Sequence, residues 1–193
     1  MQVSHPEIRD RECAAVFTIG HSNRSLECFV EMLRSAAVEL VVDVRTFPRS
    51  RTNPQFNIDT LAEDLAPFQI GYEHWPALGG RRRKQPDVPD DQNGLWRNRS
   101  FHNYADYALS DTFQSAIADL MALAGRRRPA LMCSEAVWWR CHRRIITDYL
   151  LAHSVPVLHI MDVNKISEAK LTAGAAVQTR SVVTVTYPET QSA

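Results

Sequence analysis

The sequence has no surplus of either charge: 22 Lys and Arg stand against 22 Asp and Glu. That argues against a general polyanion binder and leaves room for a local basic pocket. No Cys-x-x-Cys pair occurs among its four cysteines, Cys13, Cys28, Cys133 and Cys141, so a zinc ribbon is not expected. Four cysteines could close two disulfides, but a chain of 193 residues does not need them. Residues 1–11 are polar and lack the apolar centre of a signal peptide. No apolar run is long enough to span a membrane. Internal repeats and low-complexity segments are missing too. These absences point to a reduced, cytoplasmic protein with no membrane partner.

What the sequence does have is apolar material, 45% of its residues, enough for one full core. One domain is expected over 1–193, with its core at about 14–162 and a C-terminal extension over 163–193. The run Ala14-Ala15-Val16-Phe17-Thr18-Ile19, closed by Gly20, reads as a buried strand. Ser25 can cap a helix whose inner face carries Leu26, Phe29, Val30 and Leu33. A second strand runs over 38–42, and Ile58, Leu61 and Leu65 mark a short helix. A weaker strand is expected over 69–74, then a long loop over 78–99 rich in Gly, Arg, Pro, Asp and Asn. One helical stretch runs from Tyr104 through Phe113, Ile117 and Leu120 to Ala124, where Gly125 stops it. Strands at 129–133 and 155–160 flank a helix carrying Ile145, Ile146, Tyr149 and Leu150. This alternation predicts an α/β fold, a single three-layer α/β/α domain with a mostly parallel central sheet of about five strands. Residues 182–187 alternate like a strand and are a candidate extra C-terminal edge strand.

Right-handed crossovers put every C-terminal strand end on one edge, where open α/β sheets bind ligands. Three segments leave strands there. They are Gly20-His21-Ser22-Asn23, Asp43-Val44-Arg45 with Pro48, Arg49, Ser50 and Arg51, and Cys133-Ser134-Glu135 running on to Arg140-Cys141-His142-Arg143. Arg45 reads either as the ion-pair partner of Asp43 or as an anion binder. Cys133 reads as a small core hydrophobe or as a reactive thiolate. Glu135 could serve as acid or base, or pair with Arg143. His21 gains a functional reading only beside the other segments. Cys141 shares a helical face with Ile145 and Tyr149 and should point to the core, whereas His142 could reach the crevice. Cys133, Cys141 and His142 could chelate a divalent metal, but their spacing matches no standard site and no cofactor is expected. Arg126-Arg127-Arg128 precedes a strand and should be solvated at the opposite edge. Arg81-Arg82-Arg83-Lys84 either overhangs the site or is a solvated loop.

These segments, in this order, resemble the DUF488 family, a family of unknown function. The pieces that match are Thr18-Ile19-Gly20-His21-Ser22, Leu40-Val41-Val42-Asp43-Val44-Arg45 with Pro48, Ser50 and Arg51, and Leu78-Gly79-Gly80. Phe101 with Tyr104-Ala105-Asp106-Tyr107, Leu131-Met132-Cys133-Ser134-Glu135, Cys141-His142-Arg143 and His159-Ile160 complete the set, which covers about 17–160. The resemblance implies a compact α/β domain and supplies no reaction. It implies one functional surface built from His21, Asp43, Arg45, Ser50, Arg51, Tyr72, Gly79, Gly80, Cys133, Glu135, Cys141, His142 and Arg143.

Three functions are compatible with these residues. The first is an enzyme or binding domain for a phosphorylated small molecule or nucleotide. Arg45, Arg51 and Arg143 would then hold the anion, Glu135 or His21 would move protons and His142 would polarise the substrate. The second is thiol chemistry with Cys133 as nucleophile, similar in outline to rhodanese-like sulfurtransferases. There the bulky Glu135, Trp138 and Trp139 depart from the small-residue anion loop of that family. The third is a nucleic-acid-binding module using Arg81–Lys84, Arg97, Arg99, Trp75 and Trp96, which zero net charge disfavours.

Overall fold

A computed structural model describes residues 15–189. The short apolar runs become β1 (Val16–Gly20), β2 (Leu40–Asp43), β3 (Gly71–His74), β4 (Pro129–Cys133) and β5 (Val157–Asp162). A further strand, β6 (Lys165–Glu168), adds antiparallel to β5. The central sheet has six strands in the order β3-β2-β4-β1-β5-β6, and the first five are parallel. Five helices cover it: α1 (Leu26–Ser35), α2 (Ile58–Leu65), α3 (Arg99–Tyr107), α4 (Asp111–Ala124) and α5 (Arg143–Ala152).

Side chains alternate across the pleat and so fill two separate cores. Phe17, Ile19, Val41 and Met132 face α1 and α2, where Phe29, Leu33, Leu61 and Leu65 meet them. Leu40, Val42 and Leu131 face the other way, against Tyr104, Phe113, Leu120, Ile145 and Tyr149 of α3, α4 and α5. The crossovers β1→β2 and β2→β3 run toward one side of the sheet, while β3→β4 and β4→β5 run back. With a fixed right hand, the two directions place their helices on opposite faces. The neighbours β4 and β1 therefore send the chain to opposite faces, and a crevice opens beyond their C-terminal ends.

The structure changes three of the sequence expectations. The helical stretch from Tyr104 to Ala124 is two helices, because the Ser110 hydroxyl accepts from Phe113 N at 3.4 Å and starts α4 afresh. Residues 182–187 do form a strand, β8 (Val183–Thr186), but it pairs with β7 (Ala176–Thr179) in a separate two-stranded sheet. The outer edge of the central sheet belongs instead to β6, whose mostly polar residues carried no strand pattern. Tyr149 Oη donates to Val185 O at 3.3 Å and Tyr187 Oη to Asp148 Oδ2 at 2.7 Å, so the hairpin is fastened to α5. Among the described residues, no helix is long and apolar enough to cross a membrane.

Candidate functional site

The C-terminal ends of β2, β4 and β1 lie side by side, so the three sequence segments converge. Backbone bonds knit them together: His21 N donates to Cys133 O, Ser22 N to Ser134 O and Val44 N to Met132 O, each at 3.0 Å. Gly20 is required where β1 passes the β4 exit, because a Cβ there would lie 1.9 Å from Glu135 O and 2.8 Å from Ala136 Cα.

Asp43 ends β2 fully buried, and its carboxylate organises the floor of the site. It accepts from Arg45 N at 3.0 Å, Arg45 Nε at 2.9 Å, Arg45 Nη2 at 2.6 Å and Tyr72 Oη at 2.7 Å. Arg45 Nη2 also donates to Phe56 O at 2.6 Å, and Nη1 reaches His21 Nε2 at 3.1 Å. The His21 tautomer follows from its other nitrogen. Nδ1 sits 2.8 Å from Ser22 O, which can only accept, so Nδ1 carries the proton and Nε2 accepts from Arg45. Burial lowers the His21 pKa to about 4, with the Arg45 charge acting in the same direction and the Ser22 bond opposing. His21 is thus a neutral ring with both nitrogens engaged, stacked on Phe56 at 4.3 Å. Of the five Arg45 N–H groups, one on Nη1 has no hydrogen-bond partner among the described residues.

The β4 exit and the start of α5 build a second cluster. Ligand atoms of Cys133, Cys141 and His142 all lie within 4.8 Å of one another. Arg143 is only 1% exposed, yet its contacts are to Cys141 Sγ, 3.2 Å from Nε, and Glu135 O, 2.6 Å from Nη2. No carboxylate faces this guanidinium among the described residues, so the sulfur is its natural counter-charge. Burial would push the Cys141 thiol up, but the hydrogen bond from Cys133 and the Arg143 charge outweigh it and bring the pKa to about 6. Cys133, the donor of that hydrogen bond, is held as a buried thiol, with its pKa pushed up to about 12. The Arg143 guanidinium beside Sγ favours the thiolate form of Cys141, a residue for which the sequence pattern showed only a core-facing position. The available signal was Arg143, two residues on and forced inward by the first turn of α5. His142 Nε2 lies 3.0 Å from Val44 O, and its ring packs between Gly80 and Tyr104, whose ring centroid is 5.0 Å away.

Both clusters open onto a cleft of about 630 Å³. Arg45, Arg49, Arg81 and Arg140 line it, with Glu135 as the one carboxylate. His21, Ser50, Gly80, Cys133 and His142 line it as well, as do Cys141 and the exposed ring of Phe47. Asp43, Tyr72, Gly79 and Arg143 stand behind its walls, and Arg51 is exposed outside it. Gly79 abuts Thr46, whose Oγ1 would lie 2.9 Å from an added Cβ. The basic loop divides. Arg81 overhangs the cleft beside Phe47, whereas Arg82 turns inward over the Tyr107 ring at 3.7 Å and Lys84 pairs with Asp90 at 2.7 Å. Trp96 packs on Phe101 and Tyr187, and Arg97 pairs with Glu189 at 2.8 Å. At the opposite edge Arg127 and Arg128 bind the backbone and side chain of Glu39.

A protein-family model described as a domain of unknown function, DUF488, matches residues 25–150. The chain belongs to the DUF488 family. No curated protein and no solved structure matches it. The DUF488 match contains Asp43, Arg45, Cys133, Cys141, His142 and Arg143 but begins after His21 and ends before β5. Within that DUF488 segment, Gly80 is the residue whose smallness the site depends on. A Cβ on it would lie 2.3 Å from His142 Nδ1 and 2.7 and 2.8 Å from Cγ and Cε1, over the face of the ring. Gly80→Ala is expected to displace His142, break its bond to Val44 O and cost about 1–3 kcal/mol of stability. Urea unfolding gives the energy, and the His142 ring resonances report the displacement.

Proposed function

We propose that this cleft binds a small phosphorylated molecule of nucleotide size. The observation that carries the reading is charge: Arg81 and Arg140 line the pocket with no carboxylate within ion-pair distance among the described residues, beside Arg45 and Arg49, whose charges are shared with Asp43 and Asp59, in a protein with no net charge. Guanidinium groups match phosphate oxygens in geometry and charge. The volume, about 630 Å³, lies in the range of small-molecule sites. Phe47, 66% exposed at the rim, offers a flat apolar face to a ring. Arg45 would contribute its last N–H, while Arg81 and Arg140 would supply the outer contacts. Glu135, at the cleft and exposed, is the better placed proton carrier, because His21 has no nitrogen to spare.

The test is calorimetric titration with a nucleoside monophosphate and with inorganic phosphate. A charge-assisted hydrogen bond contributes about 1.5–3 kcal/mol. The double variant Arg81→Glu/Arg140→Glu should therefore bind at least about tenfold more weakly than the parent. Equal affinity in parent and variant, or no binding by the parent, would overturn the reading.

A further inference from the structure

We propose that Cys133, Cys141 and His142 form a zinc-binding site whose fourth coordination position opens into the cleft. The donor set comes first. Two sulfurs and one imidazole nitrogen, all within 4.8 Å, are the ligands a borderline-soft divalent ion prefers. The spacing fits as well. Zinc–sulfur and zinc–nitrogen bonds of about 2.3 and 2.05 Å at a tetrahedral angle place the two ligand atoms about 3.5 Å apart. Cys141 Sγ and His142 Nδ1 are 3.5 Å apart.

The His142 ring is set up for this role by its surroundings. Val44 O can only accept, so Nε2, 3.0 Å away, is the donor and Nδ1 presents its lone pair to the sulfurs. A histidine that ligates through one nitrogen and anchors the other on a carbonyl is fixed in tautomer and angle. Gly80 lies over the face of the ring, which leaves the in-plane direction of Nδ1 clear. Cys133 and Cys141 are 6% and 3% exposed, so solvent does not compete from behind. All three residues also line the cleft, which keeps one side of the cluster open. Three protein ligands with an open position distinguish a reactive zinc site from a structural one.

Charge completes the argument. Two thiolates cancel a divalent ion, and the buried Arg143 beside Cys141 Sγ leaves one positive charge on the cluster. An anionic oxygen in the fourth position neutralises it. That preference for an anion rests on the cleft reading above; the ion site itself does not.

The test uses the reduced, chelator-stripped full chain and Co²⁺ as a spectroscopic probe. One equivalent should give a sulfur-to-cobalt charge-transfer band and the intense visible bands of tetrahedral cobalt, and one equivalent of Zn²⁺ should bleach both. Cys133→Ser, Cys141→Ser and His142→Ala should each weaken Zn²⁺ binding by at least about a hundredfold, the upper end of what loss of a ligand's supporting partner costs. Cys28→Ser, on α1, should change nothing. No charge-transfer band from the parent chain overturns the proposal whatever the variants do, and so does a band that survives in Cys133→Ser/Cys141→Ser. Arg81→Glu/Arg140→Glu should keep the full cobalt spectrum while losing phosphate binding, so the two readings fail independently.

Discussion

Replacing Asp43 with Ala should cost about 3–5 kcal/mol of folding stability, the usual range for breaking a buried ion pair from one side. Asp43 is fully buried and Arg45 is 6% exposed, so the guanidinium left behind has little water to turn to. Three of its contacts and the Tyr72 hydroxyl bond end on that carboxylate. Asp43→Asn keeps the shape and removes the charge, and should fall between the parent and Ala. Tyr72→Phe removes one hydrogen bond and should cost about 1 kcal/mol. Urea unfolding followed by circular dichroism ranks the three. A loss in Asp43→Ala no larger than in Tyr72→Phe would mean that the ion pair contributes little and that Arg45 is held by Phe56 O and His21 instead.

The second large effect is acid lability. His21 and His159 are both buried, and burial is the main reason both pKa values drop from 6.5 to about 4. His159 Nδ1 is 2.8 Å from Thr18 Oγ1, and its ring stacks on Trp138 at 4.4 Å, which keeps it from water. Below pH 6.5 the unfolded chain takes up protons that the folded chain refuses, so stability falls with pH until about 4, where the folded rings also charge. Each ring should contribute a loss on the order of 2 kcal/mol across that window. Asp148, pushed up by burial, gives the opposite slope and softens the acid end. Urea midpoints taken at steps through the window should fall steadily for the parent. The slope should halve in His159→Gln; an unchanged slope would assign the acid sensitivity to other groups.

The architecture was legible because the strands announce themselves: Leu40 to Val42 and Ala130 to Met132 are apolar without a break, and Val16 to Ile19 is interrupted only by Thr18, as a sheet covered on both faces requires. β6 and β7 were not, since exposed edge strands have no apolar period to display. The convergence of His21, Arg45 and Cys133 was readable only up to strand order, which sequence does not print. Cys141 shows a different limit. Its i, i+4, i+8 relation to Ile145 and Tyr149 pointed to the core, and it is indeed buried. Its pKa is lowered by Cys133 and by the Arg143 guanidinium beside its sulfur, and a sequence gives no distance between these groups. Arg143 itself was expected to hold an external anion, but its Nε and Nη2 contacts are internal, to Cys141 Sγ and Glu135 O.

β1 and β2 follow one another along the chain, yet β4 lies between them. During synthesis the first two strands and both of their helices emerge well before residues 129–133 exist. The gap between His21 and Arg45 must then accept a late strand, whose carbonyls take the His21 and Val44 amides. α5, which carries His142 and Arg143, can dock only after that insertion. The cleft draws its lining from segments between His21 and His142, so it is complete only once the chain has been made through α5. A ligand of the proposed kind would thus select the completed domain, and in excess it would draw the last folding step forward by mass action.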